Sequence, residues 1–187
     1  MAATAWTQTP LKREIRLETP APRYAEELIA AVRRSRRLHG RWVTNAPATR
    51  KEYRNFLRYS RTPSRISRFV RTADEELAGV VNISEIVLGS FSSAYLSYYA
   101  LEPHQRHGYM RAGVSAMIQL AFREYRLHRL EANIQPENAA SIALVRGLGF
   151  ELEGYSPRYL KIGGRWRDHE RWAIRSENWR AIRSLDP

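Results

Sequence analysis

A chain of 187 residues, 43% hydrophobic and 27% charged, suits one compact domain with a sizeable core, expected over 1–187 with short flexible termini at about 1–10 and 177–187. No run approaches the eighteen or so apolar residues of a membrane span, and residues 1–18 lack the apolar core of a secretory signal, so a cytoplasmic location without a membrane partner is expected. Zero cysteines exclude a disulfide framework and thiolate chemistry, while a net charge of +12 points either to a polyanion such as RNA, or phosphates on a ligand, or to an arginine-biased composition.

Lysine stands only at positions 12, 51 and 161, so the positive charge is nearly all arginine. "IRL" at 15–17 reads as a short strand and "TPAPRY" as the turn after it. "YAEELIAAVRRSRRL" predicts a helix with Leu28, Ile29 and Val32 on one face. Its end is crowded by Arg33, Arg34, Arg36 and Arg37, which suits the negative pole of the helix dipole. "APATRKEYRNFLRYS" predicts a second helix carrying Tyr53, Phe56 and Leu57.

From Phe69 the texture changes. "RFVRT", "LAGVVNISEI" and "SAYLSYYAL" are rich in aromatic and β-branched residues and are separated by turn signals, which predicts a meander of three strands. A helix over 109–126 follows, with Val114, Met117, Ile118, Ala121, Phe122 and Tyr125 as its apolar stripe. "HRLEANI" alternates Leu130, Ala132 and Ile134 with Arg129, Glu131 and Asn133, as a strand does. "NAASIALVRGLGF" predicts a helix with a glycine-rich stop. "RYLKIGGRWRDHERWAI" predicts a hairpin turned at Gly163 and Gly164. The order implies an α/β (α+β) domain: a mixed sheet with helices on both faces.

The stretch "HQRHGYMRAG" (104–113) joins a strand to a helix. Unsatisfied amides and the dipole at a helix N-terminus favour an anion, Gly108 permits close backbone approach, and Arg106 and Arg111 add charge. Any strand-to-helix turn also favours glycine. A metal site is not expected, because His104 and His107 have no third ligand nearby.

These residues carry a resemblance. "QRHGYM" (Gln105 to Met110) resembles the acetyl-CoA pyrophosphate loop of the GNAT N-acetyltransferases. "LEANIQPENAASIALVRGLGFELEGY" resembles that family's segment in which an Asn and a Ser follow the fifth strand and "GF" ends the next helix. The closing hairpin, "SYYALEP" and "RSRRLHGRW" resemble the RimJ/RimL branch, which acetylates N-terminal amines of ribosomal proteins. Met110 stands where the general signature has Gly or Ala, and Val145 where many members carry a tyrosine general acid.

The resemblance implies a GNAT fold with splayed middle strands, acetyl-CoA as cofactor and no metal. It implies cofactor contacts at Leu101, Gln105, Arg106, His107, Gly108, Tyr109, Met110, Arg111, Asn138 and Ser141. The splayed strand around Tyr99 to Glu102 would polarise the acetyl carbonyl through a backbone N–H. Ser141 would contact the departing sulfur, although Asn138 and Ser141 equally suit a helix start with Asn138 as N-cap. The base that takes the ammonium proton is Glu131, Glu102 or Glu85; each carboxylate is also a natural ion-pair partner in so arginine-rich a chain. Trp42, Glu85, Tyr99 and Trp166 are expected at the acceptor cleft. Asp168 and His169 are neighbours on a strand, point to opposite faces, and are not expected to pair.

The implied acceptor is a protein N-terminus, a ribosomal protein among them. A small-molecule amine (antibiotic, toxin, polyamine or amino acid) is an alternative. A third reading is an RNA- or ribosome-binding module without transfer, motivated by the arginine-rich stretches 33–41 and 58–71. Monomer and homodimer both stay open.

Overall fold

The computed structural model describes residues 13–179. Its strands are β1 (Ile15–Glu18), β2 (Ile66–Thr72), β3 (Leu77–Val87), β4 (Ser93–Ala100), β5 (Arg129–Ile134), β6 (Glu151–Ile162) and β7 (Arg165–Arg175). Its helices are α1 (Ala25–Arg34), α2 (Arg36–His39), α3 (Arg50–Tyr59), α4 (Tyr109–Arg123) and α5 (Ala139–Gly147). The strands form one sheet in the order β1-β2-β3-β4-β5-β7-β6. The expected meander β2-β3-β4 is antiparallel, whereas β4 and β5 run parallel and need the α4 crossover between them.

Helices cover both faces. On one, Val114, Met117 and Ile118 of α4 pack with Val70, Val81 and Leu130, and Val145 of α5 joins the same cluster. On the other, Leu28 and Val32 of α1 and Tyr53 and Leu57 of α3 pack with Phe69 and Val80. The alternation read from the sequence is what sends neighbouring strand residues to these two cores.

The middle of the sheet opens. β4 and β5 pair only at Ser93↔Arg129, Ala94↔Leu130 and Tyr95↔Glu131. The Leu101 N–H donates to the Ala78 carbonyl at 2.9 Å, continuing the β3–β4 ladder. Antiparallel alternation therefore turns the amides of Ser97 and Tyr99 to β3, and those of Leu96, Tyr98 and Ala100 to the open edge.

Four boundaries differ from the sequence reading. The first helix breaks at Ser35, whose Oγ donates back to the Ala31 carbonyl at 2.7 Å and competes with the helical ladder. α4 ends at Arg123 and Arg126 takes a φ of 54°, so Tyr125 leaves the stripe and is exposed. β6 starts at Glu151, well before the hairpin predicted from Arg158, and crosses two register shifts on β7. Part of the terminus expected to be flexible is held: Trp179 is buried in the core and Asn178 donates to Glu151 at 3.1 Å. Residues 1–12 and 180–187, which include the other expected flexible end, lie outside the described residues. No described helix is long and apolar enough to cross a membrane.

The start of α4 lies tightly on β3 because Gly79 has no side chain. A Cβ there would stand 2.1 Å from Met110 Sδ and 2.7 Å from the Tyr99 carbonyl oxygen. Gly79→Ala is therefore expected to destabilise by about 1–3 kcal/mol, as overpacking does. Urea unfolding checks this, and an unshifted midpoint contradicts the contact.

Candidate active site

Tyr98 and Ser141 meet where β4 has parted from β5. Ser141 belongs to the first turn of α5, and its Oγ lies 2.7 Å from the Tyr98 hydroxyl. The Tyr98 hydroxyl also reaches the Ser141 carbonyl at 3.2 Å. Burial pushes the Tyr98 phenol up to about 12, only partly countered by its Ser141 hydrogen bond, so it remains protonated across the neutral range. Asn138 is the N-cap of α5, its Oδ1 accepting from the Ser141 N–H at 3.2 Å. That capping role was open in the sequence. It fixes Ser141 against Tyr98, which the sequence reading did not single out.

The second component is the α4 N-terminus. Gly108 caps it with φ 84°, after Arg106 at φ 64°, and no side chain caps the helix. The Ala112 N–H makes the bond to the Gly108 carbonyl at 3.1 Å, which leaves the amides of Tyr109, Met110 and Arg111 without an intrahelical acceptor. These amides and the helix dipole suit an anion. Neighbouring side chains hold the loop. His104 and His107 stand by the Tyr109 ring, the His107 carbonyl accepts from Arg13 Nε at 3.0 Å, and Met110 is buried over Gly79. Arg111 donates to the Gly147 carbonyl at 2.8 Å, tying α4 to the end of α5. Gln105 is half-buried with its Oε1 shut from solvent and without a hydrogen-bond partner.

Along β4, with Tyr98 itself in its lining, lies a cleft of about 590 Å³. Trp42 and Phe56 form an aromatic wall, Asn82, Ser97 and Tyr99 line the sheet side, and Ile162 enters from the β6–β7 hairpin. Tyr99 has a hydroxyl shut from water with no hydrogen-bond partner, and burial raises its phenol well above the ordinary value. His39 stands edge-on to Tyr99, and its Nε2 lies 2.9 Å from the Ala100 carbonyl. Arg65, also missed in the sequence, lines this cleft.

Several expected roles change. Leu101 has no free backbone group for a ligand: its N–H goes to Ala78, its carbonyl accepts from His104, and its side chain is fully buried. Glu131 is not a free base, because Arg129 Nη2 lies 2.6 Å from its carboxylate and also bridges to Glu153 at 2.5 Å. It sits at the closed end of the splay, opposite Tyr95. Glu85 is exposed on a β3 bulge at φ 52° and does not line the cleft. Glu102 is half-buried just past the open end of β4, its N–H donating to Ser35 Oγ at 2.9 Å; its carboxylate enters no ion pair among the described residues. Trp166 is 61% exposed near the hairpin tip and does not line the cleft; Ile162 does. Asp168 accepts from the Arg158 N–H at 2.7 Å and from the Tyr155 hydroxyl, while His169 turns to the Arg167 carbonyl, so the two do not form a couple.

Comparison with known proteins agrees with this geometry. Residues 14–151 match the acetyltransferase (GNAT) domain family. The chain is 41% identical over 106 residues to [ribosomal protein uS5]-alanine N-acetyltransferase of Escherichia coli K12, covering 57% of this chain and 55% of that one. It is 29% identical over 105 residues to spermidine N(1)-acetyltransferase of Vibrio cholerae, covering 56% of this chain and 60% of that one. The chain thus spans about half the length of the curated relatives it matches. In fold it is similar to Mycobacterium smegmatis RimJ in complex with CoA-disulfide, with a TM-score of 0.81 at 24% identity over 94% of this chain and 86% of that one. The open β4 edge, the uncapped α4 N-terminus and the matched region together place the chain in one family: it belongs to the GNAT acetyltransferases.

Proposed function

We propose that the protein transfers the acetyl group of acetyl-CoA to a primary amine, with a protein N-terminus, ribosomal proteins among them, as acceptor. The observation that carries this is the Tyr98–Ser141 hydroxyl pair between an unpaired β4 edge and an uncapped α4 N-terminus. The residues fit the cofactor. Amides of Tyr109 to Arg111 suit its pyrophosphate, and the free edge at Leu96, Tyr98 and Ala100 suits the amides of its pantetheine arm. Acetyl-CoA supplies the acetyl group as a thioester.

The chain's own groups do the rest. An edge amide of β4 donates a hydrogen bond to the carbonyl oxygen as charge develops there. Ser141 presents its hydroxyl to the departing sulfur and Tyr98 stands behind it as a protonated donor. Glu102 is the carboxylate left for the ammonium proton of the acceptor, directly or through water. Val145, fully buried, keeps the core position where other members place a tyrosine.

A small-amine acceptor is the second reading, supported by similarity to the spermidine enzyme of Vibrio cholerae. The cleft counts against a polyamine. Glu52 is the acid in its lining, held by the Ala48 N–H at 2.8 Å as part of the α3 capping box, and Arg65 in the same lining sets a positive charge against it. A purely RNA-binding role draws less support, since two arginines of its motivating stretches bond within the fold: Arg33 to the Ala48 carbonyl, and Arg71 to Glu18 and Glu27. The test is a competition in which the protein meets acetyl-CoA with an N-terminal peptide and spermidine, products read by mass spectrometry. Acetyl-peptide is expected to dominate. Dominant acetylspermidine reverses the acceptor assignment.

A further inference from the structure

We infer that Arg65 selects acceptors carrying a carboxylate within their first four residues, a reading that rests on acetyl transfer to N-terminal amines. Arg65 lines the acceptor cleft together with Asn82, Ser84 and Ser97. Its Nε is shut from solvent and has no hydrogen-bond partner. No described carboxylate forms an ion pair with it, in contrast to Arg16, Arg71 and Arg129, each held by two acids. Glu85 acts on it only at a distance, from an exposed site, and Glu52 is turned to the Ala48 amide.

A half-desolvated guanidinium without a counter-ion is costly. Burial accordingly lowers its affinity for the proton, partly opposed by Tyr99 and Glu85. A planar fork in the lining of a cleft, with no anion paired to it among the described residues, fits a carboxylate, which it can hold through two parallel hydrogen bonds. The same arrangement repels a cationic acceptor.

Register sets the distance. Arg65 precedes Ile66, which pairs with Ile83, which pairs with Leu96; Tyr98 is thus three rows along the sheet from the row of Arg65. Three rows are roughly 10 Å along the strands, and β2 lies two strand spacings, roughly another 10 Å, across the sheet from β4; the resulting span of roughly 14 Å is what an extended peptide covers in about four residues. With the amine at Tyr98, the guanidinium faces the second to fourth acceptor residues.

The test compares matched N-terminal peptides with Glu or Gln at positions two, three and four. The wild-type protein is expected to favour at least one Glu peptide over its Gln twin by about tenfold or more in kcat/KM, the effect of one charge-assisted bond. In Arg65→Met this ratio collapses, and in Arg65→Lys, which keeps the charge and loses the fork, it is intermediate. Equal kcat/KM for every pair in the wild-type protein overturns the inference even if the variants fail to fold. So does a Glu preference that survives in Arg65→Met. Turnover of no amine at all instead overturns the acetyl-transfer reading beneath it.

Discussion

Ser141→Ala and Tyr98→Phe each are expected to lower kcat by about 100-fold or more, while acetyl-CoA affinity changes by less than about threefold. The two hydroxyls are 2.7 Å apart and belong to different elements, β4 and α5. Removing either leaves the departing sulfur without an aligned proton, yet the α4 amides that suit the pyrophosphate are untouched. Burial keeps Tyr98 protonated up to about pH 12, so the pair does not lose its proton in the neutral range. Because they act as one unit, the double variant is expected to lose little more than either single one. Thiol release and calorimetric cofactor titration separate the two effects. Turnover unchanged in Ser141→Ala removes that residue from the mechanism, and equal losses of affinity and rate make the pair a binding feature.

Arg71→Ala is expected to cost about 3–5 kcal/mol of stability, because it strands acids that are paired in the fold. The Arg71 side chain is 5% exposed; its Nε lies 2.8 Å from Glu18, and both Nη atoms reach Glu27. It also donates to the Glu75 carbonyl at 2.9 Å and lies over the Tyr24 ring at 4.9 Å. One guanidinium thereby ties β2 to β1, to α1 and to the β2–β3 turn. Burial by itself raises the Glu18 carboxyl, but hydrogen bonds from Tyr24, Arg71 and Arg16 outweigh it and leave it below its usual 4.5. A depressed carboxyl stabilises the fold above its unfolded value and loses that contribution as pH falls through the folded one. The gap between wild type and Arg71→Ala should therefore be widest near neutrality and shrink below about pH 4.5. Denaturant midpoints across that range check it; a gap that stays constant assigns the loss to packing alone.

Much of the fold was legible because its signals are local. The stripe Val114, Met117, Ile118, Ala121, Phe122 and the alternation of Leu130, Ala132, Ile134 both lie on the core side found in the structure. The glycines at 163 and 164 turn the hairpin with φ 56° and 81°. Gly108 is the positive-φ cap of α4, and Asn138 the cap of α5. What escaped depends on residues far apart. The role proposed for Tyr98 arises only where it meets Ser141, 43 residues later, and Glu131 is tied to Arg129, which also holds Glu153. Met110, which departs from the general signature, fits at the start of α4 because Gly79 of β3 leaves room for it. Arg65 looked like one of many arginines, and only its missing partner inside the cleft distinguishes it.

The central claim is amine acetylation at the opening between β4 and β5. Its most direct measurement mixes the protein with acetyl-CoA and a free N-terminal peptide, then follows CoA thiol release and peptide mass together. One acetyl group on the α-amine for each thiol released is the expected result. No saturable binding of acetyl-CoA, and no thiol release above the rate without protein, would contradict the account.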